Sequence, residues 1–338
     1  MAGESKDSKN LQSQLAEKLN GVFEGVISER SHYYSKNQNK LPLPQDVNSI
    51  ISKYANLNMG ISGGIGLIPG PWGMAAAIPE IALVVRNQII MIHDIGVACG
   101  KGKAMTKELL AGIFCWSLGS GGMSLLTLHG SKVLVKRTSL RVFQKIISMM
   151  AGRVTQKLLK SMISKWLPIV GAAAMATWSN YSTRQVGKKA IEIFNMDIEY
   201  TDDELSSPED IETQMKFLAN SENSNLQIVK LQALINLMKI DKNRTSEERM
   251  YINSLVEKAA LADDQKAQLL NSYDSDEKFA IDYSLFSQAP DDAIGSLSDM
   301  VALAKRDGEF HVTEKMFIKH AGTQMGFSAT DLEEMIAS

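Results

Sequence analysis

Several short segments of this sequence carry residue types that could do chemistry. Gly60 to Gly64 (Gly-Ile-Ser-Gly-Gly) matches the GxSxG pattern of serine hydrolases, in which a turn between a strand and a helix exposes the serine. The residues before it make a poor strand and the surrounding pattern is helical, which argues against a hydrolase. Gly96 to Lys101 resembles a phosphate-binding loop, but it is one residue short, and Gly102 stands where Ser or Thr would bind magnesium.

The histidines and cysteines add no reactive group. The five histidines show no metal-ligand spacing, and the two cysteines, Cys99 and Cys115, do not form a CxxC pair. We therefore predict no catalytic residues, no organic cofactor and no enzymatic activity.

Two acidic segments are better candidates for a site, because an acid at a turn and another one helical step later could share a hard cation such as Ca²⁺ or Mg²⁺. The four candidate metal ligands are Asp241, Glu248, Asp307 and Glu314. Neither segment is an EF-hand, since the twelfth positions are Ile252 and Ile318. The competing interpretation, which we favour, is that these acids cap helix N-termini.

Charge is divided unevenly along the chain. Residues 1–191 hold 23 Lys and Arg against 9 Asp and Glu, a net charge of +14, whereas residues 192–338 hold 13 against 29, a net of −16. The near-neutral total of −2 hides this asymmetry. It indicates an anionic partner for the first part, or mutual neutralisation of the two parts.

No acidic residue occurs between Glu108 and Glu192, where twelve basic residues do. Nine of the basic residues follow a long helical pattern opposite an apolar stripe, and they form a candidate membrane surface. They are Lys132, Lys136, Arg137, Arg141, Lys145, Arg153, Lys157, Lys160 and Lys165. A basic amphipathic helix is typical of binding to anionic lipid. A core helix with a basic solvated face explains the pattern equally well.

The hydrophobic pattern around these residues predicts helices throughout. Leu11 to Ser35 has the apolar spacing of one helix, and the segment 36–45, with Pro42 and Pro44, reads as a loop. Uncharged glycine-rich runs at 56–79 and 109–130 approach the length of a membrane span, but their polar and breaker residues favour closely packed buried helices.

An internal repeat marks the C-terminal part. Aligning Asp241 with Asp307 also pairs residues of like character further along the chain, and the pairs are Glu248 with Glu314, Met250 with Met316, Tyr251 with Phe317, Ile252 with Ile318, Leu261 with Phe327, and Leu270 with Ile336. Thr245 to Glu248 fits a capping box, and Ser328 to Asp331 resembles one. A duplicated helical unit is the natural interpretation. With a boundary in the acidic segment 195–208, we predict an all-α protein of two helical domains, 1–195 and 208–338.

One motif in the N-terminal part resembles the EcsC family. It is carried by a Pro-Gly turn, a Pro-Glu pair, a glutamine and an Asp-Ile-Gly segment with a closing glycine. The motif residues are Pro69, Gly70, Trp72, Gly73, Pro79, Glu80, Gln88, Asp94 and Gly100. Cys99 departs from the tyrosine common before that glycine. The resemblance implies a helical bacterial protein with accessory work at the membrane.

The repeat is similar to TerB-like domains, especially at Ala304 to Glu309, Glu314 and Met325 to Phe327. The resemblance implies a duplicated helical module associated with tellurite resistance and other envelope or stress systems. It also implies a metal site at the four acids named above, although Lys242 replaces the glycine found at Gly308.

These features together predict a non-enzymatic, cytoplasmic bacterial protein, peripheral to the inner membrane. The basic part would bind anionic lipid, and the acidic part would bind a protein partner or a divalent cation, or would cover the basic face. The alternative is a membrane-permeabilising effector in bacterial conflict or phage defence. The lack of aromatic residues among the basic ones argues against single-stranded nucleic acid as the partner.

Overall fold

The computed structural model describes residues 2–62, 71–118, 125–162, 170–204, 226–240, 245–259, 261–288, 290–306 and 310–337. Most of these residues are helical, as the sequence predicts. They fall into two compact units, one holding the described residues up to Glu204 and the other holding those from Leu226 onward.

Five helices open the N-terminal unit, and their bounds are α1 Ala2–Leu19, α2 Val22–Lys36, α3 Val47–Ser62, α4 Pro71–Ala98 and α5 Lys107–Ser117. The single helix expected over Leu11 to Ser35 is broken at Gly21, whose φ of 79° lies in the left-handed region that favours glycine. Leu15, Leu19 and Phe23 nevertheless stay on one buried side across the break.

A three-stranded sheet follows, which the sequence analysis did not predict. Its strands are β1 Leu126–His129, β2 Lys132–Arg137 and β3 Asp197–Glu204, in the order β1-β2-β3. β1 and β2 form an antiparallel hairpin, and β3 pairs with β2 in parallel. The strand β3 occupies the acidic segment that we expected to divide the domains, so the N-terminal unit extends past residue 195.

Two long helices connect β2 to β3, α6 Leu140–Met162 and α7 Val170–Phe194. The predicted apolar stripe of α6 is buried at Phe143, Ile146, Ile147, Met150 and Val154. α6 packs on α1, where the Gln12 amide donates to the Ser148 carbonyl over 2.9 Å, and the Phe143 ring of α6 also meets Phe23 of α2 edge-on at 5.8 Å.

The helix α4 forms the centre of the N-terminal unit and packs against α1, α2, α3 and α5. Within the described residues, Ala77–Ala98 is the one stretch long and apolar enough to cross a membrane, but most of its length is buried inside the protein. A buried core helix of a soluble protein has the same length and composition.

The uncharged runs considered as membrane spans are not single helices. The run 56–79 contains the end of α3 at Ser62 and the start of α4 at Pro71, and residues 63–70 lie outside the described structure. The run 109–130 contains most of α5 and the whole of β1. The described helical parts of both runs contain buried residues, as the favoured interpretation of packed helices predicts, whereas the strand β1 in the second run was not predicted.

The C-terminal unit repeats three helices. The first set is α8 Leu226–Met238, α9 Ser246–Lys258 and α10 Asp263–Asn271, and the second is α11 Pro290–Ala304, α12 Val312–Gln324 and α13 Ala329–Ala337. The shift that places Asp241 on Asp307 carries the bounds of α9 onto those of α12 and the bounds of α10 onto those of α13. It also pairs buried residues, for example Ile252 with Ile318 and Leu269 with Met335. The predicted duplication is confirmed.

Candidate functional site

A buried ion pair joins α2 to α4. Arg30 donates from Nε to Asp94 Oδ1 and from Nη2 to Asp94 Oδ2, each over 2.8 Å. The Asp94 side chain is only 6% exposed and that of Arg30 17%. Both arms of the guanidinium fork are thus engaged on one carboxylate, which is the geometry of strong arginine–carboxylate pairing.

Two tyrosines complete the hydrogen bonds of this pair. The Tyr34 hydroxyl accepts from Arg30 Nη2 over 2.8 Å, and the Tyr54 hydroxyl donates to Asp94 Oδ2 over 3.2 Å. Burial, together with the negative charge of Asp94, raises the pKa of both phenols. Burial acts against the charged form of Arg30, but Asp94 outweighs it, and the Arg30 pKa is raised. The cluster therefore holds one fixed ion pair between neutral phenols.

His93 lies next to this pair. It is 2% exposed, and its two ring nitrogens have no hydrogen-bond partner among the residues that the structure describes. Its Nδ1 lies 3.7 Å from Asp94 Oδ1, and its ring is nearly parallel to that of Tyr34, with the centroids 6.4 Å apart. Because Arg30 already occupies both oxygens of Asp94, the carboxylate is not disposed to act as a base toward the imidazole.

A second layer of buried polar side chains lies earlier on α4, at Asn87 and Gln88. The Asn58 side chain of α3 accepts from Asn87 over 2.8 Å and donates to Thr183 of α7 over 3.0 Å. The Gln88 amide donates to the same Thr183 hydroxyl over 3.0 Å. All four residues are buried, so these bonds satisfy polar groups that would otherwise be costly in a core, and they fix α3, α4 and α7 in register.

The EcsC-like motif residues are divided between these layers and the surface. Gln88 and Asp94 are the buried members, whereas Pro79 and Glu80 are exposed on α4. Gly100 follows α4 with a φ of 75°, which favours glycine. Trp72 and Gly73 lie in the first turn of α4, and Pro69 and Gly70 fall outside the described residues.

The serine-hydrolase pattern is excluded at its own position. Ser62 is the last residue of α3 and fully buried, and a helix stands where the motif needs a strand. Gly64 belongs to a segment that the structure does not describe.

The basic residues do not form one helical face, which corrects the sequence analysis. Lys132, Lys136 and Arg137 lie on β2, where Val133 and Val135 are buried between them. β2 pairs with the acidic β3, and Lys132 Nζ lies 2.6 Å from Glu199 Oε1. The spacing of four residues from Lys132 to Lys136 fits the period of a helix, but it fits the alternation of a strand equally well.

The remaining basic positions belong to α6 or follow it. Arg141 is exposed, whereas Lys145 and Arg153 are half-buried and interact with other groups of the protein. Lys157 and Lys160 are in the last turns of α6, and Lys165 falls outside the described residues. The membrane surface expected along one helix is therefore reduced to its α6 part.

Of the four acids proposed as cation ligands, the two that lie in the described residues, Glu248 and Glu314, cap helix N-termini. Glu248 Oε2 accepts from both the backbone N–H and the hydroxyl of Thr245, each over 2.9 Å, and Glu314 Oε2 accepts from the His311 N–H over 2.9 Å. Both glutamates are 3% exposed. Asp241 and Asp307 lie outside the described residues. No group of three or more His, Cys, Asp or Glu that could hold a metal occurs in the part of the chain that the structure describes.

The predicted cap at the last helix is also confirmed. Asp331 accepts from the Ser328 backbone N–H over 3.1 Å and from its hydroxyl over 2.6 Å, while the Asp331 N–H donates back to that hydroxyl. This reciprocal pair satisfies backbone donors at the start of α13.

Sequence reasoning missed Arg30, Tyr54, Asn58 and Thr183, which are the partners of the polar residues on α4. The available signal was the placement of Asn87, Gln88, His93 and Asp94 inside an apolar helix, because such residues need partners when they are buried. Nothing in the spacing pointed to Arg30, which lies 64 positions before Asp94.

The fold and caps of the C-terminal unit define a duplicated, capped helical module. Residues 227–337 match the family model described as Tellurite resistance protein TerB, which confirms the resemblance found in the repeat. This match spans about a third of the chain. The EcsC-like resemblance of the N-terminal part has no matching family model. No curated protein and no solved structure matches the chain.

Proposed function

We propose that this chain is a non-enzymatic accessory protein of the tellurite-resistance type, acting at the cytoplasmic face of a bacterial membrane. The TerB match over residues 227–337 carries this proposal, because the duplicated helices and their caps agree with it. The EcsC-like motif in the N-terminal unit supports the link to a membrane.

In this proposal the N-terminal unit contacts anionic lipid at the membrane surface. Its net charge of +14 over residues 1–191 favours an anionic surface. The polar side chains of α4 support contact without insertion, since Asn87, Gln88 and Asp94 would leave their partners if α4 entered lipid.

Co-sedimentation of the full chain with anionic and neutral vesicles at low and high salt tests this proposal. We expect binding to anionic vesicles only, and we expect it to weaken as salt rises. No binding to anionic vesicles at low salt would overturn membrane association. The variant Arg141→Glu, in the exposed part of α6, would show whether this helix takes part in the contact.

For the C-terminal unit we propose binding of a divalent cation or a protein partner through its acidic surface. The candidate cation ligands remain Asp241, Glu248, Asp307 and Glu314, as the TerB resemblance implies. A bound cation would raise the melting temperature as its concentration increases. We expect Asp307→Asn to remove this rise, and a melting curve unaffected by Ca²⁺ and Mg²⁺ would leave the glutamates as caps alone.

The second candidate function is a membrane-permeabilising effector, and one observation favours it. The stretch Ala77–Ala98 has the length and composition of a membrane span. Dye-loaded anionic vesicles distinguish the two functions, because a surface accessory protein binds without release, whereas an effector that inserts α4 causes leakage.

A further inference from the structure

We propose that a short loop between α2 and α3, residues 37–46, is the element that enters the headgroup region of an anionic membrane. We call it the dileucine loop, after Leu41 and Leu43. This inference rests on the proposed function, and it names the surface through which that function would operate.

The dileucine loop exposes two leucines that are two residues apart. Leu41 is 45% exposed and Leu43 52%. Both have extended backbone angles, with φ of −60° and −102° and ψ of 125° and 162°. Only Pro42 separates them in the chain, so this short stretch presents two apolar side chains to solvent. Single exposed leucines are ordinary on protein surfaces, whereas two within three residues are a feature to explain.

The backbone donors around the two leucines are satisfied or absent. Four amide N–H groups donate inside the loop, and the prolines Pro42 and Pro44 have no N–H. The four bonds run from Lys40 to the Asn37 carbonyl, from Leu41 to the Gln38 carbonyl, from Leu43 to Asp46 Oδ2 and from Asp46 to the Leu43 carbonyl. Unsatisfied backbone donors are the main obstacle to burying a loop in a membrane. From residue 40 to residue 44 that obstacle is removed before any contact with lipid.

Charge at the dileucine loop fits an anionic surface. Lys36 and Lys40 are exposed beside the leucines, and Lys40 Nζ lies 5.9 Å from the centre of the half-buried Tyr33 ring. Asp46 is the one acidic residue between Arg30 and Glu80, and its carboxylate is bonded to the Leu43 N–H of the loop itself. An apolar tip bordered by cations is the arrangement that lipid headgroups select, because leucine enters the apolar boundary while lysine stays with phosphate.

The test is co-sedimentation of the full chain with vesicles of equal parts phosphatidylglycerol and phosphatidylcholine. The variant with both Leu41→Ser and Leu43→Ser should bind at least tenfold more weakly. The matched control is Leu57→Ser on α3, since Leu57 is 47% exposed, like the two leucines of the loop. All three leucines lie on the surface, so unchanged tryptophan fluorescence should confirm that the variants fold.

A charge series tests the cations separately. Lys36→Glu with Lys40→Glu should weaken binding to anionic vesicles about 25-fold or more, since each lysine near such a surface accounts for about a fivefold gain. Lys103→Glu, at another exposed lysine of the same unit, should have little effect.

The outcomes separate this inference from the proposed function. Loss of binding in the loop variants alone supports the dileucine loop as the contact. Unchanged binding in those variants, or equal loss in Leu57→Ser, overturns the loop while leaving membrane association intact. Wild-type protein that binds no vesicles overturns both the proposed membrane contact and the part of the loop in it.

Discussion

At the residue scale, the Arg30–Asp94 pair is the most demanding interaction of the N-terminal unit. Asp94→Asn would leave the guanidinium of Arg30 largely buried without its charge partner, and we expect a loss of about 3 kcal/mol in the free energy of unfolding. Urea unfolding followed by tryptophan fluorescence measures this loss, because three of the four tryptophans, Trp72, Trp116 and Trp178, belong to the N-terminal unit.

The exposed pair Lys132–Glu199 is the matched control for that variant. Its side chains are 50% and 48% exposed, so Glu199→Gln should lower the free energy of unfolding far less than Asp94→Asn does. Similar losses in Asp94→Asn and Glu199→Gln would contradict a structural role for the buried pair.

Tyr54 makes stability depend on alkaline pH. Burial raises its pKa above the ordinary value of about 10, and the charge of Asp94 raises it further. Below that pH, both folded and unfolded states keep the proton. Above it, the unfolded state loses the proton and the folded state retains it, so the free energy of unfolding falls by about 1.4 kcal/mol per pH unit for each such group.

We therefore expect Tyr54→Phe to show a shallower decline between pH 9 and about 11 than the wild-type protein. Denaturant titrations at several pH values, again with tryptophan fluorescence, give both slopes. Tyr34, with a pKa also raised by burial, should account for part of the slope that remains. Parallel pH profiles for variant and wild type would show that Tyr54 ionises equally easily in both states.

At the element scale, α4 is held by close packing at Gly96. A methyl group there would lie 2.7 Å from Phe194 Cζ and closer still to the end of Met105. Because both neighbours are themselves buried, Gly96→Ala should lower the free energy of unfolding by about 2 kcal/mol.

Gly25 on α2 provides the opposite case, since a methyl group there would meet nothing within 4 Å. Gly25→Ala should raise the free energy of unfolding by up to about 1 kcal/mol, because alanine loses less entropy in a helix. If both alanine variants were stabilising, the packing at Gly96 would have room that the structure does not show.

In the C-terminal unit, each of the caps of α9 and α13 should stabilise only the helix that it begins. Thr245→Ala and Ser328→Ala each remove a side-chain acceptor for a backbone N–H at a helix start, at a cost of about 1 kcal/mol. Hydrogen exchange of the full chain should then become faster in the capped helix of each variant. Ser246→Ala, on the exposed first residue of α9, is the control and should leave exchange unchanged.

At the scale of the whole molecule, surface contact and insertion predict different hydrogen-exchange patterns on anionic vesicles. If the chain acts at the surface, amides of α4 remain as protected as in solution, because its polar side chains keep their partners. Exchange should slow around the dileucine loop. Faster exchange in α4 on vesicles would favour the permeabilising effector.

The duplicated C-terminal unit and much of the helical architecture could be predicted from the sequence. These features are local, because a cap needs only the residues within one turn, and a repeat fixes the same helix bounds twice. The shift from Asp241 to Asp307 therefore placed α9 on α12 before any contact was known. The apolar stripe of α6 was equally readable from its spacing.

The sheet and the polar clusters could not be predicted from the sequence, because they depend on contacts between distant parts of the chain. β2 is too short for its period to distinguish a strand from a helix, and its strand state depends on β1 and on β3, which follows two long helices later. In the same way, Asp94 needed a partner, but only packing of α2 against α4 identified Arg30. A buried charge requires a partner, but which residue is that partner depends on contacts between residues far apart in the chain.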